Sequence, residues 1–136
     1  MSEQSGVPAG FAALGRERFV SLTTFRRSGE PVATPVWIAV DEDALVVITP
    51  QDTGKVKRLR RDQRVELRPC SRSGRVAEDA PVVSGRAEIL ADAASTVRVT
   101  NLVRAKYGVE YRVVMLVERL AARGQKTRLG LRITPA

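Results

Sequence analysis

The apolar positions fall into short runs broken by turn residues, and most of the runs are too short to be anything but strands. Phe19–Phe25 mixes β-branched and aromatic residues and reads as a first strand. Arg26-Arg-Ser-Gly-Glu30 is hairpin chemistry, with a glycine available for positive φ. Pro31–Val40 is predicted as one continuous second strand, Asp41-Glu-Asp43 as the next turn, and Ala44–Thr49 as a buried third strand. Val65-Glu-Leu-Arg-Pro69 alternates strictly, as a half-exposed strand does. Val82–Leu90 is the fifth strand, and Gly85 in its middle predicts a bulge or bend. Thr127–Thr134 is the last strand, with Leu129, Leu131 and Ile133 on one face.

Helical spacing appears in four places. Phe11-Ala-Ala-Leu-Gly15 suits a short helix over one end of a barrel. Thr53 is an N-cap candidate for a helix from Gly54, with Val56 and Leu59 as its buried stripe. Asp92 caps a helix running to about Tyr107, with Val99, Leu102 and Val103 apolar and Gly108 as its stop. Residues 111–122 fit a strand in part, but Leu116, Val117 and Leu120 favour a helix stopped by Gly124. A meander joined by hairpins, then a helix, two strands, helices and a last strand suits a small closed antiparallel barrel, mainly β with short helices (α+β). Residues 1–10 carry little to bury and read as a flexible N-terminus, leaving 11–136 as a single domain.

Charge changes the picture at one helix. The chain of 136 residues has a formal net charge of +8, with no excess of base before Gly54, where four Lys/Arg face seven acids. The excess is densest from Lys55 to Arg75. Lys55 and Lys57 fall in the first helical turn, where the helix dipole is already positive and acidic residues are preferred. Free backbone N–H groups, a glycine and two lysines there are unfavourable alone and favourable around an anion. The stretch therefore reads as a phosphate cradle, while Arg60, Arg61 and Arg64 fit a solvated basic face.

The missing residue types exclude much chemistry. With no histidine and one cysteine, Cys70, the chain cannot build a Ser-His-Asp or Cys-His centre, a His-containing metal site or an internal disulfide. In an enzyme of this composition the chemistry is expected to reside in a bound cofactor. Six aromatic residues, three Phe, two Tyr and one Trp, are too few and scattered for a base-stacking nucleic-acid platform. No apolar run is long enough to span a membrane, and the start has no signal-peptide core, so a cytoplasmic protein is expected.

The succession Leu22-Thr-Thr-Phe25, Pro35-Val-Trp37, Thr53-Gly-Lys-Val-Lys-Arg-Leu-Arg-Arg61, Val65-Glu-Leu-Arg-Pro-Cys70 and Val83-Ser-Gly-Arg-Ala87 resembles the split β-barrel FMN/deazaflavin-binding oxidoreductases, the pyridoxamine 5′-phosphate oxidase class. Within that class it looks most similar to the actinobacterial F420-dependent group, over roughly residues 11–134. The resemblance implies a six-stranded antiparallel split barrel, a homodimer, and coenzyme F420 (alternatively FMN) in a groove between protomers. It further implies phosphate contacts at Thr53, Gly54, Lys55 and Lys57. Thr34, Pro35, Val36 and Trp37 would lie along the tricyclic ring, and Ile48 and Thr49 would border it. Thr53 departs from the pattern, standing where relatives often carry another Arg or Lys.

The activity implied is hydride transfer from a deazaflavin to a small-molecule acceptor. The alternatives are an FMN flavoprotein of the same fold and a protein that stores the cofactor. A proton would come from solvent, Tyr107 or Tyr111. F420 carries an acidic tail that FMN lacks, and the arginines from Arg58 to Arg75 are the candidates to hold it.

Overall fold

A computed structural model describes residues 8–122 and 127–136. Most of the expected flexible N-terminus and the helix stop at Gly124 lie outside these residues. The described elements run, in chain order, α1 (Ala9–Leu14), β1 (Val20–Phe25), β2 (Pro31–Val36), β3 (Ala39–Asp41), β4 (Ala44–Pro50), α2 (Gly54–Arg61), β5 (Arg64–Pro69), β6 (Val83–Leu90), α3 (Ala93–Tyr107), α4 (Val109–Ala122) and β7 (Arg128–Pro135). The first helix thus begins at Ala9, inside the stretch expected to be flexible.

All strands pair antiparallel in one seven-stranded sheet of order β2-β1-β5-β6-β7-β4-β3. The two edge strands, β2 and β3, follow one another in the chain and are separated only by Trp37 and Ile38. A link that short cannot cross the width of an open sheet, so the sheet curls until its edges meet. This is the split barrel.

The expected count of six strands becomes seven because Pro31–Val40 is not one strand. Its first part pairs with β1 (Val36 opposite Val20), and its second pairs with β4 (Ala39 opposite Val46). The backbone at the break is not left unsatisfied. The Ile38 N–H donates to the Tyr107 hydroxyl at 2.9 Å, and that hydroxyl donates to the Arg18 carbonyl at 2.8 Å. The Lys106 ammonium donates to the carbonyls of Ile38 (2.7 Å), Gly15 (3.0 Å) and Glu17. Two neighbouring side chains at the end of α3 therefore replace the ladder bonds that the corner gives up.

Strand alternation builds two cores. Val20, Leu22, Leu45, Val47, Val65, Leu67, Leu131 and Ile133 fill the barrel, closed at one end by Phe11 and Leu14 of α1 and backed by Val56 and Leu59 of α2. On the outer face, Ala39 and Val46 pack under Val99, Val103 and Tyr107 of α3, with Trp37, Ile48, Leu102 and Tyr111 at the margin. Asp92 caps α3 through the Ser95 N–H at 2.9 Å, as its sequence position predicts.

Gly85 makes no bulge. Its neighbours keep constant register with both β5 and β7. A Cβ there would sit 2.9 Å from the Thr134 carbonyl oxygen, with Ile133 and Val65 side chains close behind, so glycine is required by close approach.

Candidate functional site

The break in the second strand places Trp37 where the barrel seam opens. Beside it lies a groove of about 280 Å³ lined by Phe19, Pro35, Val36, Trp37, Ile48, Thr49, Pro50, Lys55, Arg72, Val114, Met115 and Arg128. Three elements supply its floor and one end: the end of β2, the end of β4, and the first turn of α2. α4 forms the facing wall through Val114 and Met115.

Of the residues expected at a cofactor, Pro35, Val36, Trp37, Ile48, Thr49 and Lys55 come together here. Thr34, Thr53, Gly54 and Lys57 do not line the groove. Thr34 is opposite Leu22 and shares its barrel-facing side. The Thr53 hydroxyl caps α2 by accepting from the Val56 N–H at 3.4 Å, and it donates to the Pro50 carbonyl at 3.2 Å. Lys57 is exposed, because residues two apart on a helix point to different sides. Gly54 itself is exposed at the start of the helix. The Arg58 guanidinium folds back over it, so close that an added Cβ would be 2.8 Å from a guanidinium nitrogen.

Arg58, which the sequence groups with the basic residues beyond the cradle, turns back beside it. Its Nε donates to the buried Thr24 hydroxyl at 2.7 Å, which turns the side chain toward the helix N-terminus. Burial, then Arg26 and Arg61, hold its pKa below the usual arginine value. The signal was the i,i+3 spacing from Lys55, which puts both cations on neighbouring parts of the helix surface. Arg58 brings a second positive charge beside Gly54 from the following turn.

Lys55 decides the electrostatics. It is half-buried in the groove wall, and among the described residues no carboxylate pairs with it. Burial, and then the neighbouring Arg58, lower its pKa from the ordinary lysine value. The groove's other cations differ. Arg72 pairs with Glu110 at 3.5 Å and lies over the Phe19 ring, and Arg128 pairs with Glu118. Next to Lys55 in the lining, Thr49 is 2% exposed and its hydroxyl has no hydrogen-bond partner. A buried orphan hydroxyl and an unpaired cation in one groove fit an anionic ligand with further polar atoms.

The aromatic side of the groove is a stack of rings. Trp37 stacks on Tyr107 with centroids 4.6 Å apart and planes 15° from parallel, and Tyr111 lies 6.3 Å from Trp37. Tyr107 is buried and hydrogen-bonded at the strand break, and burial raises its pKa against the lowering effect of the Ile38 bond. It holds the corner and is not placed to serve as a proton donor.

The family pattern for pyridoxamine 5′-phosphate oxidase matches residues 8–136. The chain belongs to this family. Its fold is the family's flavin-binding split barrel, and the groove lies at the barrel seam. Among curated proteins no sequence matches the chain. Solved structures do. A conserved hypothetical protein from Mycobacterium tuberculosis is 25% identical, with a TM-score of 0.66, covering 90% of this chain and 75% of its own. An F420 reductase is 18% identical, with a TM-score of 0.58 and 96% of each chain covered. An FAD-binding protein from Mesorhizobium loti is 17% identical, with a TM-score of 0.61, covering 91% of this chain and 83% of its own. At such identities the last two show the fold alone.

The lowered Lys55 pKa gives this family member a testable pH dependence. An anion beside the ammonium would raise its pKa again, so binding takes up a proton. Affinity for a phosphate-bearing ligand should be full below the pKa of Lys55 in the free protein. It should fall as pH rises from there toward the higher pKa in the complex. Dissociation constants measured from neutral pH to about 10.5, the ordinary lysine value, check this. A flat profile that persists in Lys57→Ala would mean that Lys55 does not meet the anion.

Proposed function

We propose that this protein is an F420-dependent oxidoreductase of the pyridoxamine 5′-phosphate oxidase family, acting on a small-molecule acceptor. The observation that carries the reading is Lys55, a half-buried cation at a helix N-terminus, with no acid partner among the described residues, in a groove that ends on Trp37. Lys55 and the first-turn N–H groups of α2 would hold the cofactor phosphate, with Arg58 adding positive charge from the next turn. Pro35, Val36, Trp37 and Ile48 would lie against the ring and exclude water from it, and the Thr49 hydroxyl would donate to one of its polar edge atoms. When bound, the deazaflavin supplies hydride transfer, and no side chain of the groove needs to act as acid or base.

The test is titration followed by Trp37 fluorescence, with F420, FMN, FAD and haem side by side. Quenching by F420 at lower concentration than by FMN supports the proposal. Tighter FMN binding would make the protein a flavoprotein of the same fold, and binding without turnover across acceptors would make it a cofactor store. Binding of neither F420 nor any flavin would overturn the cofactor reading altogether.

The proposal includes a homodimer and a cytoplasmic location. Among the described residues no helix is long and apolar enough to cross a membrane. What supports the dimer is α4, whose outward face carries Val109, Val113, Leu116, Val117 and Leu120, all more than half exposed. Spacings of four, three and four along 109, 113, 116 and 120 make one apolar stripe, the kind of surface that a partner helix covers. Sedimentation at micromolar concentration should give a dimer, and Leu116→Glu with Leu120→Glu should give a folded monomer. A dimer unaffected by both changes would place the contact elsewhere.

A further inference from the structure

The wall that α4 gives the groove is shared with a neighbouring cavity. Met115 lines the groove on one side, and on the other it lines this second cavity, of about 390 Å³, between α3 and α4. The remaining walls of that cavity are Arg104 from α3 and Tyr111, Arg112, Leu116 and Arg119 from α4. Arg112 and Arg119 are seven residues apart, so they stand two turns from each other on one side of α4. Arg104 closes the cavity from the opposite helix, its guanidinium 5.8 Å from the centre of the Tyr111 ring.

Among the described residues, none of these three arginines has a carboxylate within ion-pair distance. The acids of α4 are committed elsewhere: Glu110 pairs with Arg18 and Arg72, and Glu118 with Arg128. Three exposed arginines thus line one cavity with no counter-charge, a surface that favours an anion. Their planar forks match carboxylates better than isolated ammonium groups would. Several of the basic residues expected to meet an acidic tail are bonded elsewhere. Arg58 is held by Thr24, Arg61 by the Phe25 carbonyl and Arg64 by Asp62, and between Arg58 and Arg75 only Arg72 lines the groove.

The geometry points to a carboxylate-binding subsite at Arg104, Arg112 and Arg119, next to the cofactor groove with Met115 as their shared wall. Only the link to the groove rests on the cofactor reading above; the subsite itself rests on the three arginines. The carboxylates have two sources, an acidic extension of the cofactor or a separate acidic substrate lying beside the ring.

The test is calorimetric titration with citrate at constant ionic strength, on the full chain and on Arg112→Ala/Arg119→Ala. Losing two charge-assisted contacts should weaken citrate binding at least about fivefold, while FMN, anchored at Lys55, stays within about twofold. Arg112→Lys/Arg119→Lys keeps the charge without the fork and should fall between; it replaces the alanine pair if that pair fails to fold. Parallel titrations with F420 and with its phosphate-bearing form stripped of glutamates separate the sources. A loss confined to the tailed form assigns the subsite to the cofactor. Equal affinities for both forms, with citrate binding still lost, assign it to a separate acidic molecule. Equal citrate binding by wild type and both pairs, or none at all, together with unchanged F420 affinity, overturns the subsite. Lys55→Ala should leave citrate binding within about twofold, so failure of the cofactor reading is seen separately.

Discussion

Lys55→Ala is expected to weaken binding of the phosphate-bearing cofactor by about 1.5–3 kcal/mol, the range of a charge-assisted hydrogen bond. The free protein should be as stable as the parent or slightly more so, because every local effect opposes the charge. Lys55 sits at the positive end of α2, is half-buried, is repelled by Arg58, and has no acid partner among the described residues. Such a group persists at a site where a ligand reverses the balance. Lys57 is the control. It shares the same turn but is exposed, so Lys57→Ala should change affinity by less than about 0.5 kcal/mol. Titration of both variants, with thermal melting of the free proteins, gives the two readings. Equal losses at the two lysines would reduce the cradle to general surface charge, and no loss at Lys55 would remove it.

The contrast between the two lysines also marks what the sequence could tell. Placing Lys55 and Lys57 in a first helical turn was sound, since Thr53 does cap α2 and Val56 and Leu59 are buried. Treating them as one pair ignored the turn of the helix, which carries neighbours two apart to different faces. Strand boundaries were legible wherever a hairpin separated two apolar runs. The one error in strand count lies in Val36-Trp-Ile-Ala-Val40, which has no glycine or polar residue to announce a corner. That corner is decided by Tyr107 and Lys106, some seventy residues further on, through bonds to the Ile38 backbone. No local pattern carries such information. α4 shows a different limit. Its apolar spacing identified the helix correctly, but a periodic stripe does not say whether it faces the core or solvent, and this one faces out. Gly85 stands out in the sequence, but a bulge and a close backbone approach leave the same glycine in a strand, and here it is the close approach.

Tyr107 is where fold and site meet, and its removal should have the largest effect on stability. Tyr107→Ala is expected to cost about 3–5 kcal/mol, the range for deleting a buried aromatic ring. The ring is 4% exposed, packs with Val46, Val99 and Val103, and stacks under Trp37. Tyr107→Phe keeps that packing and removes only the hydroxyl. It leaves the Ile38 N–H and the Arg18 carbonyl without their partner, at a cost of about 1–3 kcal/mol for buried groups left unsatisfied. The two variants should also differ at the groove. Phenylalanine preserves the surface on which Trp37 rests, so cofactor affinity should change little while the melting temperature falls. Alanine frees Trp37, and affinity should fall with stability. Denaturant unfolding, Trp37 emission and cofactor titration on the two variants test the whole chain of reasoning. A Tyr107→Phe protein as stable as the parent would mean that the three Lys106 bonds hold the corner by themselves. A Tyr107→Ala protein that binds cofactor as tightly as the parent would detach Trp37 from the ring contact, leaving the groove defined by Pro35, Ile48 and the Lys55 cradle.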